Sequence, residues 1–337
     1  MGLLKEAAVA KRITLKEIAA LTGTSVSTVS KALNQSTEIS EGKRRQIIEV
    51  ARALHYPFER LERVLPENRE RMVGFLVPDV SNPYFARLWR GVEDIARSHD
   101  YSVVACHTGE DPELEIEQIN RIQRLDVAGL LSVPIREENY QRLRLPLVLL
   151  SRCSVACESF SYVVNNDFRG AYLAAKYFLD QGKTNVFFLS GPEEISVATN
   201  RTQGILAAFR ERDLPFPKSH IYYNNLKFKD GHRTLEKILR ANRPPLGVFC
   251  SSDIVAIGVL NMARSGGYKI PEEISIVGYD DIENDQYLDY PLTTIAQADY
   301  QIGSHGMKTL LEIISEKEPY RQVLQIVFEP EIVVRKT

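Results

Sequence analysis

The stretch TSVSTVSKALN, residues 24–34, carries five hydroxyl side chains, one amide and one lysine among apolar residues kept at helical spacing. At about 100° per residue, Val29 and Leu33 fall on one face, and Ser27, Lys31 and Asn34 fall together on the opposite one. That polar face is built from compact groups, not from the long Glu/Lys mixture that usually solvates a helix. Short side chains let the backbone come close to a surface. Hydroxyls, an amide and a lysine can there meet phosphate oxygens and base edges in a major groove.

Working outward, Thr14-Leu15-Lys16-Glu17 forms a capping box that opens a first helix, with Leu15, Ile18, Ala19 and Leu21 as its apolar positions. Gly23-Thr24 breaks it. Ser25 caps a second helix, and Ser40 a third with Ile47, Ile48, Ala51 and Leu54 on one face. A short helix, a tight Gly turn and a small-residue helix make a helix-turn-helix. The competing reading, a Ser/Thr-rich capping or loop region, does not account for the helices on either side. Residues 57–71 are polar and Pro-punctuated, as a linker would be. From Met72 short apolar runs recur: 73–77, 101–106, 129–133, 147–150, 186–190, 247–250 and 274–278. Helix-like segments lie between them at 84–98, 114–125, 168–181, 202–212, 228–240 and 252–265. Strands alternating with helices imply parallel sheets, and more than 250 residues of this pattern exceed one doubly wound sheet, so two lobes are expected.

At 337 residues, 44% hydrophobic and 26% charged, the composition is that of a soluble globular chain with ample core. Its four cysteines show no CxxC pair or metal spacing, so they read as reduced thiols in a cytoplasmic protein. The apolar run at the start is too short for a signal peptide, and no segment approaches a membrane span. Net charge is −2 but unevenly spread: through residue 71 there are 13 Lys and Arg against 9 Asp and Glu. A basic head on an acidic body suits nucleic-acid contact by the head alone. No GxGxxG, P-loop, GxSxG or HExxH is present, and the six histidines are widely spaced. The chain is therefore read as no enzyme, with no catalytic residue, no metal and no cofactor.

The sequence closely resembles the lactose-repressor (LacI/GalR-type) family of bacterial transcription regulators. The residues that carry the likeness are Thr14 to Ala19, Gly23, Ser25, Thr28 to Asn34, Ser40 and Tyr56. It continues through SNPYF (81–85), GVEDIA (91–96), RTQGILAAF (201–209), SSDIVAIGVL (251–260), IPEEISIVGYDD (270–281) and PLTTIAQ (291–297). The resemblance implies an α/β protein: an all-α helix-turn-helix head at 13–57, a hinge at 58–71, and at 72–337 a two-lobed body like a periplasmic binding protein, with parallel doubly wound sheets. Lobe 1 would hold about 72–164 and 296–325, lobe 2 about 165–295 and 326–337. The implied function is a sequence-specific repressor controlled by a small ligand, most readily a carbohydrate. Its partners would be pseudo-palindromic double-stranded operator DNA and a second copy of the chain. The sequence stops after a final strand pair, which fits a homodimer without a tetramerisation helix. Control by a protein corepressor, or a ligand-binding protein without a regulatory role, remain as alternatives.

By the same resemblance Val26 and Ser27 read bases, with core packing open as the rival reading of Val26. Thr14, Thr28 and Asn34 hold phosphates, and Lys31 stands where Arg is usual. Tyr56 belongs to the DNA-binding set, and in the hinge Arg63 precedes Leu65, the minor-groove wedge. Phe58-Glu59-Arg60 and Glu62 depart from the family's small-residue hinge, so an unstructured linker is the alternative there. Effector contacts are expected from loops after strands: Asn82, Phe85, Arg152, Arg201 and Asp280, with Asn166 at the lobe junction and Leu226 where many members place an aromatic. Arg and Asp would hold paired sugar hydroxyls, and an Arg would equally suit an anion. Each has a plainer reading: Phe85 as core, Arg201 as a surface residue opening its helix, Asp280 as a turn. Asp253 is expected to cap the helix over 252–265.

Overall fold

The structure, a computed structural model, describes residues 14–33, 38–54, 71–153, 159–315 and 323–337. Asn34, Tyr56, Arg63 and Leu65, and with them the hinge expectation, lie outside the described residues. The chain divides into two compact units, Met1–Glu70 and Arg71–Thr337.

The first unit packs three helices: α1 (Leu15–Thr22), α2 (Val26–Leu33) and α3 (Glu41–Ala53). Their core is Ile18, Ala19, Val29, Ala32, Leu33, Ile47, Ile48 and Ala51. Glu17 accepts from Thr14 N (2.7 Å) and from Thr14 Oγ1 (3.0 Å), which secures the start of α1. Gly23 ends it in the left-handed region at φ 61, where a Cβ would be strained. Ser25 Oγ accepts from Thr28 N at 3.0 Å, so Ser25 caps α2. Leu21 differs from its expected inward placement: it is 63% exposed. Thr22, one turn on from Ile18, takes the buried position and donates its hydroxyl to Ile18 O at 2.8 Å.

The second unit holds two six-stranded sheets. The first contains β1 (Arg71–Val77), β2 (Tyr101–His107), β3 (Gly129–Ser132), β4 (Leu147–Leu150), β5 (Ser161–Asn165) and, late in the chain, β11 (Gln325–Phe328). The second contains β6 (Val186–Ser190), β7 (Ile221–Tyr223), β8 (Leu246–Cys250), β9 (Ile274–Asp280), β10 (Thr293–Ala296) and β12 (Glu331–Val333). Spatial orders are β11-β5-β4-β3-β1-β2 and β12-β10-β9-β8-β6-β7. Every pairing is parallel except β10 with β12. Strand order reverses beside β1 in one sheet and beside β6 in the other, and the carboxyl ends at such points form ligand crevices.

Both faces of each sheet are covered, so the strands read as continuous apolar runs. Along β1, Val73, Phe75 and Val77 enter one core while Leu76 enters the other. Along β9, Ile274 and Ile276 face one side and Val277 and Tyr279 the opposite side. The helices are α4 (Pro83–Ser98), α5 (Pro112–Gln123), α6 (Asp167–Asp180), α7 (Ser196–Glu211), α8 (Phe228–Ala241), α9 (Asp253–Ser265) and α10 (Asp299–Ser315). They pack as the pairs α4–α10, α6–α7 and α8–α9, with α5 on the other side of the first sheet. Gly91 and Gly303 let α4 and α10 touch, since a Cβ at either would lie 2.2 or 2.1 Å from a backbone oxygen of the other helix.

Two boundaries move. The last crossing between sheets falls between Phe328 and Glu331, not at 325/326, because Ile326 and Phe328 pair with Val163 and Asn165 and Pro330 then breaks the strand. Helix α7 begins at Ser196 rather than 202, because its buried stripe already starts at Val197 and Ala198. No helix among the described residues is long and apolar enough to cross a membrane.

Candidate functional site

On the head, Val29, Ala32 and Leu33 are spent on the core, and the other face of α2 is in solvent. Ser27 and Lys31 are exposed, and Val26 is 40% exposed, so Val26 is not a core residue. Lys31 reaches the Glu38 carboxylate, and this pairing holds the Glu38 carboxyl below its usual range. Thr28 Oγ1 lies 2.8 Å from Ser25 Oγ. Thr14, Thr28 and Lys31 thus have local partners that a phosphate would have to replace.

In the body, one cavity opens between the carboxyl ends of the two sheets. Asn82, Phe85, Arg152, Arg201, Leu226 and Asp280 all line it. Asn82 caps α4 by accepting from Tyr84 N at 3.0 Å, with Pro83 opening the helix. Phe85 is both core and lining. Asn166 is the exception among the seven nominated residues: it caps α6 by accepting from Arg169 N (3.0 Å) and donates to Glu329 Oε1 (2.9 Å).

The charges in the cavity arrive paired. Arg152 is buried and donates from both terminal nitrogens to Glu110, at 2.7 and 2.8 Å. Arg201 lies in the second turn of α7, not on the surface. It donates to Asp167 (2.8 Å) and to Ser251 O (2.6 Å), and its guanidinium sits 3.5 Å over the Tyr279 ring. Burial pulls both guanidinium pKa values down, but the carboxylate beside each outweighs it and keeps the charge. At the rim Lys227 pairs with Asp79 across the lobes. Burial pushes the Asp79 carboxyl up, yet its bonds from Lys227 and Ser81 hold it below the usual range. Arg87 also bridges the lobes, donating to Asp281 O at 3.0 Å.

Asp280 is different. It ends β9 at φ 131, a conformation L-residues rarely adopt. Its Oδ1 accepts from Gln297 at 2.6 Å, and its Oδ2 is buried with no partner among the described residues. Burial, then the nearby Asp253 charge, raises its carboxyl well above the ordinary range. Of the eight non-glycine residues with positive φ among those described, four (Glu110, Ser151, Leu226 and Asp280) line this cavity. Backbone strain gathers at ligand sites where the surroundings over-determine it. Ser251 Oγ, also on the lining, is likewise buried without a partner.

Asp253 does not cap α9; Ser252 does, accepting from Val255 N at 3.4 Å. The Asp253 carboxylate instead takes Thr294 Oγ1 (2.6 Å) and Ile282 N (3.1 Å). Sequence reasoning missed Asp79, Glu110, Lys227, Ser251 and Gln297. All but Lys227 lie within three residues of a strand's carboxyl end, and that position was the available signal.

A helix-turn-helix with a small polar face, joined to a two-lobed body with a charged cavity, defines a ligand-binding transcription regulator. Residues 14–57 match the family of bacterial regulatory proteins, lacI family. Residues 70–330 match the periplasmic binding proteins and sugar binding domain of LacI family. The chain belongs to the LacI family. It is 31% identical over 306 residues to the HTH-type transcriptional repressor CytR of Escherichia coli K12, covering 89% of each chain. It is 30% identical over 331 residues to the repressor PurR of Histophilus somni 129Pt, covering 96% of this chain and 98% of the relative. Among solved structures, a LacI-family regulator from Enterococcus faecium with bound ribose superposes with a TM-score of 0.66 at 28% identity, over 79% of this chain and 97% of that one.

Proposed function

We propose that this chain is a cytoplasmic repressor that grips a pseudo-palindromic operator as a homodimer, through Val26, Ser27, Thr28 and Lys31 of α2 with Thr14 beside it. The cavity of the body takes a small polar effector, a carbohydrate, on Asp280, Arg201, Arg152, Asn82, Phe85 and Leu226. CytR and PurR support the repressor reading by their names, and the ribose-bound regulator supports the carbohydrate. The observation that carries the proposal is Asp280: a buried carboxyl oxygen without a partner, on a strained residue, inside the cavity. Such a group is costly unless a ligand hydroxyl reaches it.

The cavity encloses about 40 Å³, room for a few waters, and a monosaccharide needs more. Entry therefore requires the lobes to part at Lys227–Asp79 and Arg87–Asp281. Parting of the lobes changes how two heads meet half-sites, and a coupling of ~1–3 kcal/mol would alter operator affinity roughly 5- to 150-fold. The test is fluorescence anisotropy on selected operator DNA, titrated with monosaccharides and disaccharides. A responding sugar should lose its effect in Asp280→Asn, with ligand-free DNA affinity kept. A response that survives in that variant overturns the cavity assignment.

A further inference from the structure

We propose that Glu110 decides the charge of the effector: by occupying both terminal nitrogens of Arg152 it closes the cavity to anions, so the molecule recognised carries no phosphate or carboxylate group. This rests on the cavity being the effector site. Three basic side chains line the cavity, and each already faces a carboxylate: Arg152 with Glu110, Arg201 with Asp167, Lys227 with Asp79. The lining then adds Asp280. Counted with their partners these groups leave no surplus positive charge. Of the helices that begin at the lining, α4 is capped by Asn82, α9 by Ser252 and α8 by Asp230, which accepts from Lys227 N. Helix α7, entered at Val197, has no side-chain cap and offers only its backbone N–H groups.

An anion entering here would shed its water and find no uncompensated cation. A neutral ligand meets different terms. Arg152 still has unshared N–H groups to donate to hydroxyl oxygens, since a guanidinium carries five donors and Glu110 takes two. Asp280 Oδ2 and Ser251 Oγ stand ready for ligand hydroxyls. Glu110 also has a left-handed backbone, at φ 59.

Calorimetry and thermal shift on the full chain, with D-ribose, D-ribose 5-phosphate and orthophosphate as probes, test the idea. Wild type should show no binding of either phosphate at millimolar concentration. Glu110→Gln, which leaves Arg152 uncompensated, should gain phosphate binding at least about tenfold over wild type, and adding Arg152→Met should remove it. Wild-type binding of D-ribose 5-phosphate or orthophosphate in the millimolar range overturns the proposal, as does a folded Glu110→Gln with no affinity for phosphate. Because the wild-type measurement needs no variant to fold, it decides the matter if Glu110→Gln does not. Failure of the cavity assignment itself looks different: a sugar that shifts DNA binding would be untouched by Asp280→Asn, whatever the phosphates do.

Discussion

Ser27 and Lys31 stand in solvent on α2, whereas Arg152 and Arg201 are buried and already paired before any ligand arrives. The head keeps short, loosely committed groups on a surface that a large polyanion can cover. Its affinity is then mainly a matter of displaced counterions and is sensitive to salt. The body holds its charges in fixed pairs at low dielectric, where breaking one is expensive. One chain thus uses two kinds of recognition, and substitutions should separate them.

The largest separation is expected from Arg201→Ala. It strands Asp167 in the core beside Tyr279 and should cost the body about 3–5 kcal/mol, read as a lower unfolding midpoint, while the head unfolds as before. Effector affinity measured by calorimetry should fall at least about tenfold; unchanged affinity would remove Arg201 from the site.

Next comes pH. Burial pushes Asp299 up to about 6 from 3.8, against the pull of Arg87. A carboxyl raised on folding stabilises fully below its unfolded value, and that stability is lost as pH rises through the folded one. Between pH 4 and pH 7 the body should lose about 2 kcal/mol from this group. Asp299→Asn should make the fall of chemical-denaturation stability over that range shallower and leave the head's curve alone. Asp253, Asp280 and Asp285, whose carboxyls burial also raises, supply the slope that stays.

Smaller effects are expected on α2. Ser27→Ala should change which operator bases are preferred, by about 1–3 kcal/mol at one position, in a selection on randomised DNA. Unaltered preference would leave Ser27 as a bystander. Lys31→Ala should weaken all sequences alike and reduce the salt slope of binding by about one, with thermal stability unchanged.

The head was legible because its information is local. Helical spacing over eleven residues sorted Ser27 and Lys31 from Val29 and Leu33, and Ser25 capped α2 as its position required. Leu21 misled because apolarity alone does not fix direction, and Thr22 could satisfy its own hydroxyl inside the core. The strands over 147–150 and 186–190 were plain as buried apolar runs, while β5, β7 and β10 are short and mix Ser, Tyr or Thr into the run.

The cavity was legible only by residue, not by partner. Arg152 and Glu110 are 42 positions apart, Arg201 and Asp167 are 34 apart, and Asp253 finds Thr294 across 41. No periodicity carries that information. Reading Arg152 as suited to a sugar or an anion was open in the sequence for just this reason: its charge is cancelled by a residue that only the fold brings near.

Gln297 leads further. Its carbonyl accepts from Asn165 at 2.6 Å and its amide donates to Asp280 at 2.6 Å, and Asn165 in turn accepts from Ala298 N at 3.2 Å. Two of the places where the chain passes from one sheet to the other are therefore stitched together by the side chain that also holds the cavity's carboxylate. A guest hydroxyl on Asp280 Oδ2 would draw on the same carboxyl group whose Oδ1 holds the Gln297 amide, and so would bear directly on the joint between the sheets. Cavity and joint thus share one short run of hydrogen bonds, Asp280–Gln297–Asn165, with no relay of further residues between them.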